Sequence, residues 1–211
     1  MESKRLPDHP RFEQEDLIPA RALPDTDRIE EIVMENVSLA GQDLHALEFF
    51  SCVFRRCNLS GCDMTRCDLA DVVFDHCDLS SVKMGEAALR RTELINCRMT
   101  GADMDHVMMR DVCFRNAKAD YLNLSLSKCE RVLFEGCVMN ELSLMETQLK
   151  NTAFENCDLS DGTVDHTPLY GIDLRSDKVD QLRVTVPDLR GAIVTAEQAI
   201  QFSALLGLVI R

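Results

Sequence analysis

Ten cysteines and five histidines are the residues of this 211-residue chain that could hold a metal or attack a substrate. Eight of the cysteines, Cys52, Cys57, Cys62, Cys67, Cys77, Cys97, Cys137 and Cys157, fall on one lattice with a step of five. Structural zinc takes four ligands that converge on a point, commonly through C-x2-C pairs. A C-x4-C spacing carried along a chain spreads thiols out, so no metal and no cofactor are expected. Disulfides need an oxidising compartment. Residues 1–20 contain no apolar stretch of the kind that directs export, and a cytoplasmic chain with reduced, buried thiols is expected. The histidines are His9, His45, His76, His106 and His166. A catalytic trio needs a nucleophile and an orienting acid around a site that excludes water. Here Ser and Asp abound, but no pocket-forming pattern, P-loop, G-x-G-x-x-G or H-E-x-x-H accompanies them. The expectation is a protein that is not an enzyme.

The lattice that spaces the cysteines runs through the whole middle of the chain. Stepping in fives from Met34 to Val194, all 33 positions are apolar and no insertion breaks the phase. Five residues advance a helix by about 140°, which scatters these side chains around the cylinder. On a straight strand an odd step alternates them between faces. They all point inward only if the chain turns a corner once in every five residues. Two positions before each such centre lies a small residue, the slot that the eight cysteines occupy, and extended chain points it to the same side. These slots read as thiols acting as small hydrophobes. His76, His106 and His166 fall two residues after a centre, at an outer corner.

A second period gives the number of sides. Phe54, Phe74, Leu94, Phe114, Phe134 and Phe154 recur every twenty residues, so four five-residue sides make one coil and residues twenty apart stack. The expected fold is all-β: a solenoid of about eight four-sided coils. The sets "CNLSG", "CDMTR" and "CDLAD", with "TGADM", resemble the A(D/N)LXX pattern of the pentapeptide-repeat proteins over roughly residues 32–194. That resemblance implies a right-handed quadrilateral β-helix. The weakest stretch is "NAKADYLNLSLSKCER", where Ala119 and Cys129 replace large centres and Ser127 fills a small slot. Asp177, at an inward position, predicts an irregular corner near 175–180.

Three segments follow: an extended lead-in over 1–31 with four prolines, the repeat over 32–194, and a C-terminal helix and tail over 195–211. Thr195 and Gln198 match a capping box, and Gly207 supplies the stop. A short capping α-helix is expected to close the coil. The resemblance to the quinolone-resistance members implies a homodimer there, through Phe202, Leu205, Leu208 and Ile210.

The net charge of −13 argues against direct nucleic-acid or anionic-membrane binding, and no apolar run is long enough to span a bilayer. The repeat region carries 26 acidic and 17 basic residues. The side centred on Leu44, Met64 and Met104 holds Asp43, Asp63, Glu86, Asp103, Asp105, Glu146 and Asp165 against three basic residues. The side centred on Leu69, Leu89 and Leu149 holds Arg90, Arg91, Arg110, Lys128, Arg131, Lys150 and Arg190 against six acids. Eight coils at roughly 4.8 Å make a rod about 38 Å long, over which B-DNA carries on the order of 22 phosphates. Family resemblance implies a protein partner of the type II topoisomerase class, DNA gyrase or topoisomerase IV, bound by DNA mimicry and modulating quinolone action. The unbroken phase leaves out the loop insertions that many of those members carry, which favours binding over drug protection. The competing expectation is a rigid scaffold for another protein.

Overall fold

The computed structural model describes residues 6–208. Its backbone shows what makes a side five residues long. Every fifth residue from Glu31 to Gly171 has φ between +47° and +76°, two positions after each centre. This left-handed conformation turns the chain sharply. It is most accessible to Gly, and next to Asn, Asp and His. Asn36, Asn96, Asn116, Asn151 and Asn156 sit at such corners, as do His76, His106 and His166. The corner amide then points along the rod and donates to the coil above: Arg56 to the Asp75 carbonyl (2.9 Å), His76 to Ile95 (2.9 Å), Asn96 to Arg115 (2.8 Å).

Stacking is parallel and in register by twenty. Strands β1 (Ile18–Ala20), β2 (Arg28–Glu30) and β3 (Ile32–Glu35) begin the rod, and β4 (Glu48–Arg55), β5 (Asp68–Asp75), β6 (Ala88–Ile95), β7 (Met108–Arg115) and β8 (Lys128–Glu135) continue it. Each of β4 to β8 bends over two adjacent sides, with Phe49, Leu69, Leu89, Met109 and Cys129 paired in one column and Phe54, Phe74, Leu94, Phe114 and Phe134 in the next. The other two sides are joined by single bridges, as in Asp43–Asp63–Lys83–Asp103–Asn123, until residues 143–145, 163–165 and 183–184 pair as a three-stranded sheet on one of them. The result is the expected four-sided parallel β-solenoid of about eight coils with a short C-terminal helix. Ile29 is buried and pairs with Phe49, so the coil register reaches upstream of residue 32.

Of the 33 centres, all are buried except Leu149, Leu189 and Val194, which are partly buried against the core. The rings of Phe54 and Phe74 stack at 5.1 Å between centroids, those of Phe114 and Phe134 at 4.7 Å, and those of Phe134 and Phe154 at 5.1 Å. The stretch around Ala119, Ser127 and Cys129 keeps its corners and its burial. At Ser176 the left-handed corner is missing. Beside it the buried Asp177 accepts a hydrogen bond from the Cys157 amide (2.7 Å). The next coil bends into α1 (Val186–Leu189), capped by Thr185, an element the apolar period conceals because Leu189 still falls in phase.

The small slot does more than fill volume. Cys52, Cys57, Cys62, Cys67, Cys77, Cys97, Cys137 and Cys157 each donate Sγ–H to the carbonyl of the residue twenty-three earlier, as Cys62 does to Leu39 (3.0 Å) and Cys67 to Leu44 (3.0 Å). Thr92, Ser127, Thr147, Thr152 and Thr167 make the same bond through a hydroxyl. Reading these thiols only as small hydrophobes therefore missed a donor role: the slot favours a small side chain that can also serve a buried carbonyl. All ten cysteines are free and buried. Cys113 differs from the other nine, because it lies next to the Phe114 centre and points outward.

Two predictions follow from this core. Phe114→Ala removes a stacked ring and costs about 3–5 kcal/mol, while Cys97→Ala, which loses one weak bond and little volume, costs about 1 kcal/mol; urea unfolding of each variant measures the difference. Burial pushes the Cys52 thiol from 9.0 to about 11 and Cys129 to about 12. Folded thiols thus keep protons that the unfolded chain loses above about 9. Their contribution is complete below that pH and disappears as pH rises towards the folded values. The urea midpoint should fall more steeply above pH 9 in the wild type than in Cys52→Ala with Cys129→Val.

Candidate protein-interaction surface

The acidic side is built by two rules already visible in the backbone: the residue before a centre and the residue after it point out, and the corner residue turns its side chain away from the core. Asp43, Asp63 and Asp103 share the bridged column, interrupted by Lys83. Asp105 and Asp165 follow their centres, and Glu86 and Glu146 stand at corners. All seven expected residues are exposed or partly exposed and lie along one side. Their partners differ. Glu86 pairs with Arg66 (3.3 Å). Asp105 and Asp165 each contact the following histidine, His106 at 2.8 Å and His166 at 3.1 Å. Asp43, Asp63, Asp103 and Glu146 have no Lys or Arg within 4.0 Å among the described residues. The hydroxyl and amide of Thr65 lower the Asp63 carboxyl below its ordinary range, so it stays charged at neutral pH.

The side carrying the arginines behaves differently, because its charges are paired between coils. Arg90 reaches Asp68 (2.8 Å), Arg91 reaches Asp71 (2.5 Å), Arg110 and Lys150 both reach Glu130 (2.7 and 2.9 Å), and Arg131 reaches Asp111 (2.7 Å). Lys150 and Arg110 hold Glu130 down to about 2, and Arg131 holds Asp111 below its usual value. Expected as neutral to basic, this side has five of its seven basic residues in ion pairs, while Lys128 and Arg190 have none within 4.0 Å among the described residues. Its charge is largely spent within the rod.

The histidines resolve in the same way. His76 lies 2.6 Å from Asp75, repeating the Asp–His doublets at 105–106 and 165–166. In each, a left-handed corner carries the ring outward, where it stays exposed. Among the described residues no cluster of three or more His, Cys, Asp or Glu is placed to hold a metal, and no helix is long and apolar enough to cross a membrane.

At the C-terminal end, α2 (Ala196–Ser203) carries the expected capping box between Thr195 and Gln198. The helix closes the coil with a polar side chain: Gln198 Nε2 donates to the carbonyls of Leu174 (2.7 Å) and Asp177 (2.8 Å). Phe202 packs partly buried against the core. Leu205 and Leu208 are 42% and 58% exposed, and Ile210 lies outside the described residues. An open apolar groove between Val186, Leu189, Ala199, Phe202, Leu205 and Leu206 completes this end. Val186 and Leu206 were not foreseen there.

At the other end, the lead-in does two things. Strand β1 pairs with β3 and covers the first coil edge. Residues 8–11 run along the outside of the rod. The Asp8 amide donates to Asp111 Oδ1 (3.2 Å), His9 pairs with Glu93 (2.5 Å), and the Arg11 amide donates to Asp71 Oδ1 (2.8 Å).

The chain matches the model of the pentapeptide repeat region over residues 67–144 and 87–164, and that of pentapeptide repeats in eight copies over 48–85. These windows together span more than half of its length. No curated protein matches it. Among solved structures it is similar to a trypsin-treated form of QnrB1, a plasmid-mediated fluoroquinolone resistance protein. The identity is 25%, covering 92% of this chain and 95% of that one, with a TM-score of 0.44. It is similar to HetL, a pentapeptide repeat protein involved in heterocyst differentiation regulation in the cyanobacterium Nostoc, at 18% identity over 79% and 89% of the two chains, with a TM-score of 0.46. A pentapeptide repeat protein of the Arabidopsis thaliana thylakoid lumen is 18% identical over 45% and 66%, with a TM-score of 0.40.

Proposed function

This chain belongs to the pentapeptide-repeat family, and from that premise we propose that it is a non-enzymatic, cytoplasmic protein-binding rod that mimics DNA. Its acidic side engages the DNA-binding surface of a type II topoisomerase, gyrase or topoisomerase IV, and so modulates quinolone action. One observation carries the reading. Asp43, Asp63, Asp103 and Glu146 lie along one side with no Lys or Arg at salt-bridge distance among the described residues, whereas acids on the arginine-bearing side are tied to the next coil. Unpaired surface carboxylates held at fixed spacing are available to a cationic groove without breaking internal pairs. A rigid scaffold for another protein is the second reading, favoured by Lys83 and Arg66, which interrupt the acidic row.

Binding of this kind weakens steeply with salt. The wild-type protein should inhibit gyrase supercoiling in a purified assay and compete with DNA for the enzyme. Asp63→Lys, Asp103→Lys and Asp105→Lys together should raise the inhibitory concentration at least tenfold while the circular dichroism spectrum stays native. Arg90→Glu with Arg91→Glu should leave inhibition intact. Failure of the wild type to bind or inhibit either enzyme at low salt decides for the scaffold.

We further propose a homodimer through the C-terminal end, at Phe202, Leu205, Leu208 and Ile210. Its support is the exposed apolar surface that remains after α2 has closed the coil. Sedimentation at tens of micromolar should give twice the monomer mass, and Leu205→Glu with Leu208→Glu should give the monomer. A monomeric wild type rules the dimer out.

A further inference from the structure

The outside of one corner carries a feature that neither the repeat nor the acidic side explains. Asp71, Glu93 and Asp111 are surface acids by their position in the coil, yet Asp111 is only 5% exposed and the Glu93 side chain only 15%. Beside them Cys113, on the outside of the coil, is 5% exposed and clusters with Leu133 and Ala153. The segment lying here is the chain's own residues 8–11, which meet the track at Asp71, Glu93 and Asp111.

Geometry sets what fits this track. Asp71 and Asp111 stand two coils apart, roughly 9.6 Å at about 4.8 Å per coil. Three residues of extended chain cover about 10 Å. An extended segment laid along the axis therefore brings the amides of residues i and i+3 over alternate coils, as Asp8 and Arg11 do. The ring-bearing residue at i+1 meets Glu93, whose one partner at salt-bridge distance among the described residues is His9. Pro7 and Pro10 hold such a segment extended, because proline fixes φ and has no amide to leave unpaired. The contact is made by backbone amides and one ring, so it reads shape and one polar group more than sequence. It is also light on the arm: the side chains of His9 and Arg11 remain 77% and 68% exposed.

We propose that this track is a docking site for an extended, proline-punctuated segment of a second protein, with an imidazole or amine facing Glu93. Residues 8–11 occupy it in cis until such a segment displaces them.

The outward Cys113 serves as a reporter, because the other nine cysteines point into the core. In the full-length protein, Asp8→Pro with Arg11→Pro removes the two amide donors without shortening the chain. Maleimide labelling read by mass spectrometry should be at least tenfold faster at Cys113 in this variant, with the nine inward thiols still unlabelled. The peptide LPDHPRFE, the sequence of residues 6–13, added in trans should restore protection to within twofold of wild type. Adding Asp71→Ala and Asp111→Ala, which removes both acceptors, should abolish that protection. If the double variant labels its inward thiols, Arg11→Pro alone is read in the same way. An unchanged Cys113 rate overturns the proposal. So does a raised rate that millimolar peptide fails to lower, which would make the arm a fixed strap.

Discussion

The left-handed corner is the constraint on which the rest of this structure depends. Placing one residue in five at positive φ is unfavourable for most side chains, and the chain does so without interruption from Glu31 to Gly171. What offsets it is shared between coils: most corners turn their amide onto a carbonyl of the coil above, with Asn156 and His166 using side chains of Ser176 and Asp188 instead, and each side places a large residue on the one twenty positions earlier. A single coil could not pay for its corners, so the fold exists only as a stack. Ser176 shows the converse. Where the corner is absent, a buried carboxylate at Asp177 takes over an amide of the previous coil, and within ten residues the chain has left the β pattern for α1.

The same constraint sorts the chemistry. Because inward and outward positions are fixed, a cysteine in the small slot has a carbonyl within reach and little access to water. Its thiol is a structural donor, and at Cys52, Cys62 and Cys67 burial also holds the proton more tightly. Outward residues are fixed as firmly, so an arginine finds its acid one coil away and ion pairs form as rungs. Surface pairs of this kind add little stability one by one. Their consequence here is electrostatic: they use up charge on the side centred on Leu69 and leave the side centred on Met64 with carboxylates that have no internal base.

The period of five, the four sides and the inward set could all be read from apolar positions, because burial in a stacked coil imposes one residue type on a fixed lattice. The capping box at Thr195 was equally legible, being local. What escaped was whatever the lattice does not encode. The left-handed corners had a signal in Asn, Asp, His and Gly two residues after the centres, but hydrophobicity is blind to it. The donor role of the small slot could have been suspected from Ser127, Thr147 and Thr152 sharing the position with cysteine. Helix α1 hid behind an in-phase Leu189, although the T-V-P-D sequence at Thr185 carries a cap and an early proline. The course of residues 8–11 had no signal, since an arm without periodicity does not say which face it will meet.

Recognition by the outer columns of such a rod works by pattern. Pattern is what a stack provides at low entropic cost. Asp63 and Asp103 occupy positions set by the backbone ladder, so a partner that meets one also meets the other at a distance the coil rise has already fixed. Ordering flexible side chains is a main cost of association, and here much of it was met on folding. The spacing is also indifferent to the identity of the inward residues, provided they fill the core. Outer columns can therefore change charge without disturbing Phe74 or Cys97 beneath them, and the acidic row, the paired arginine columns and the track under residues 8–11 can vary independently on one scaffold.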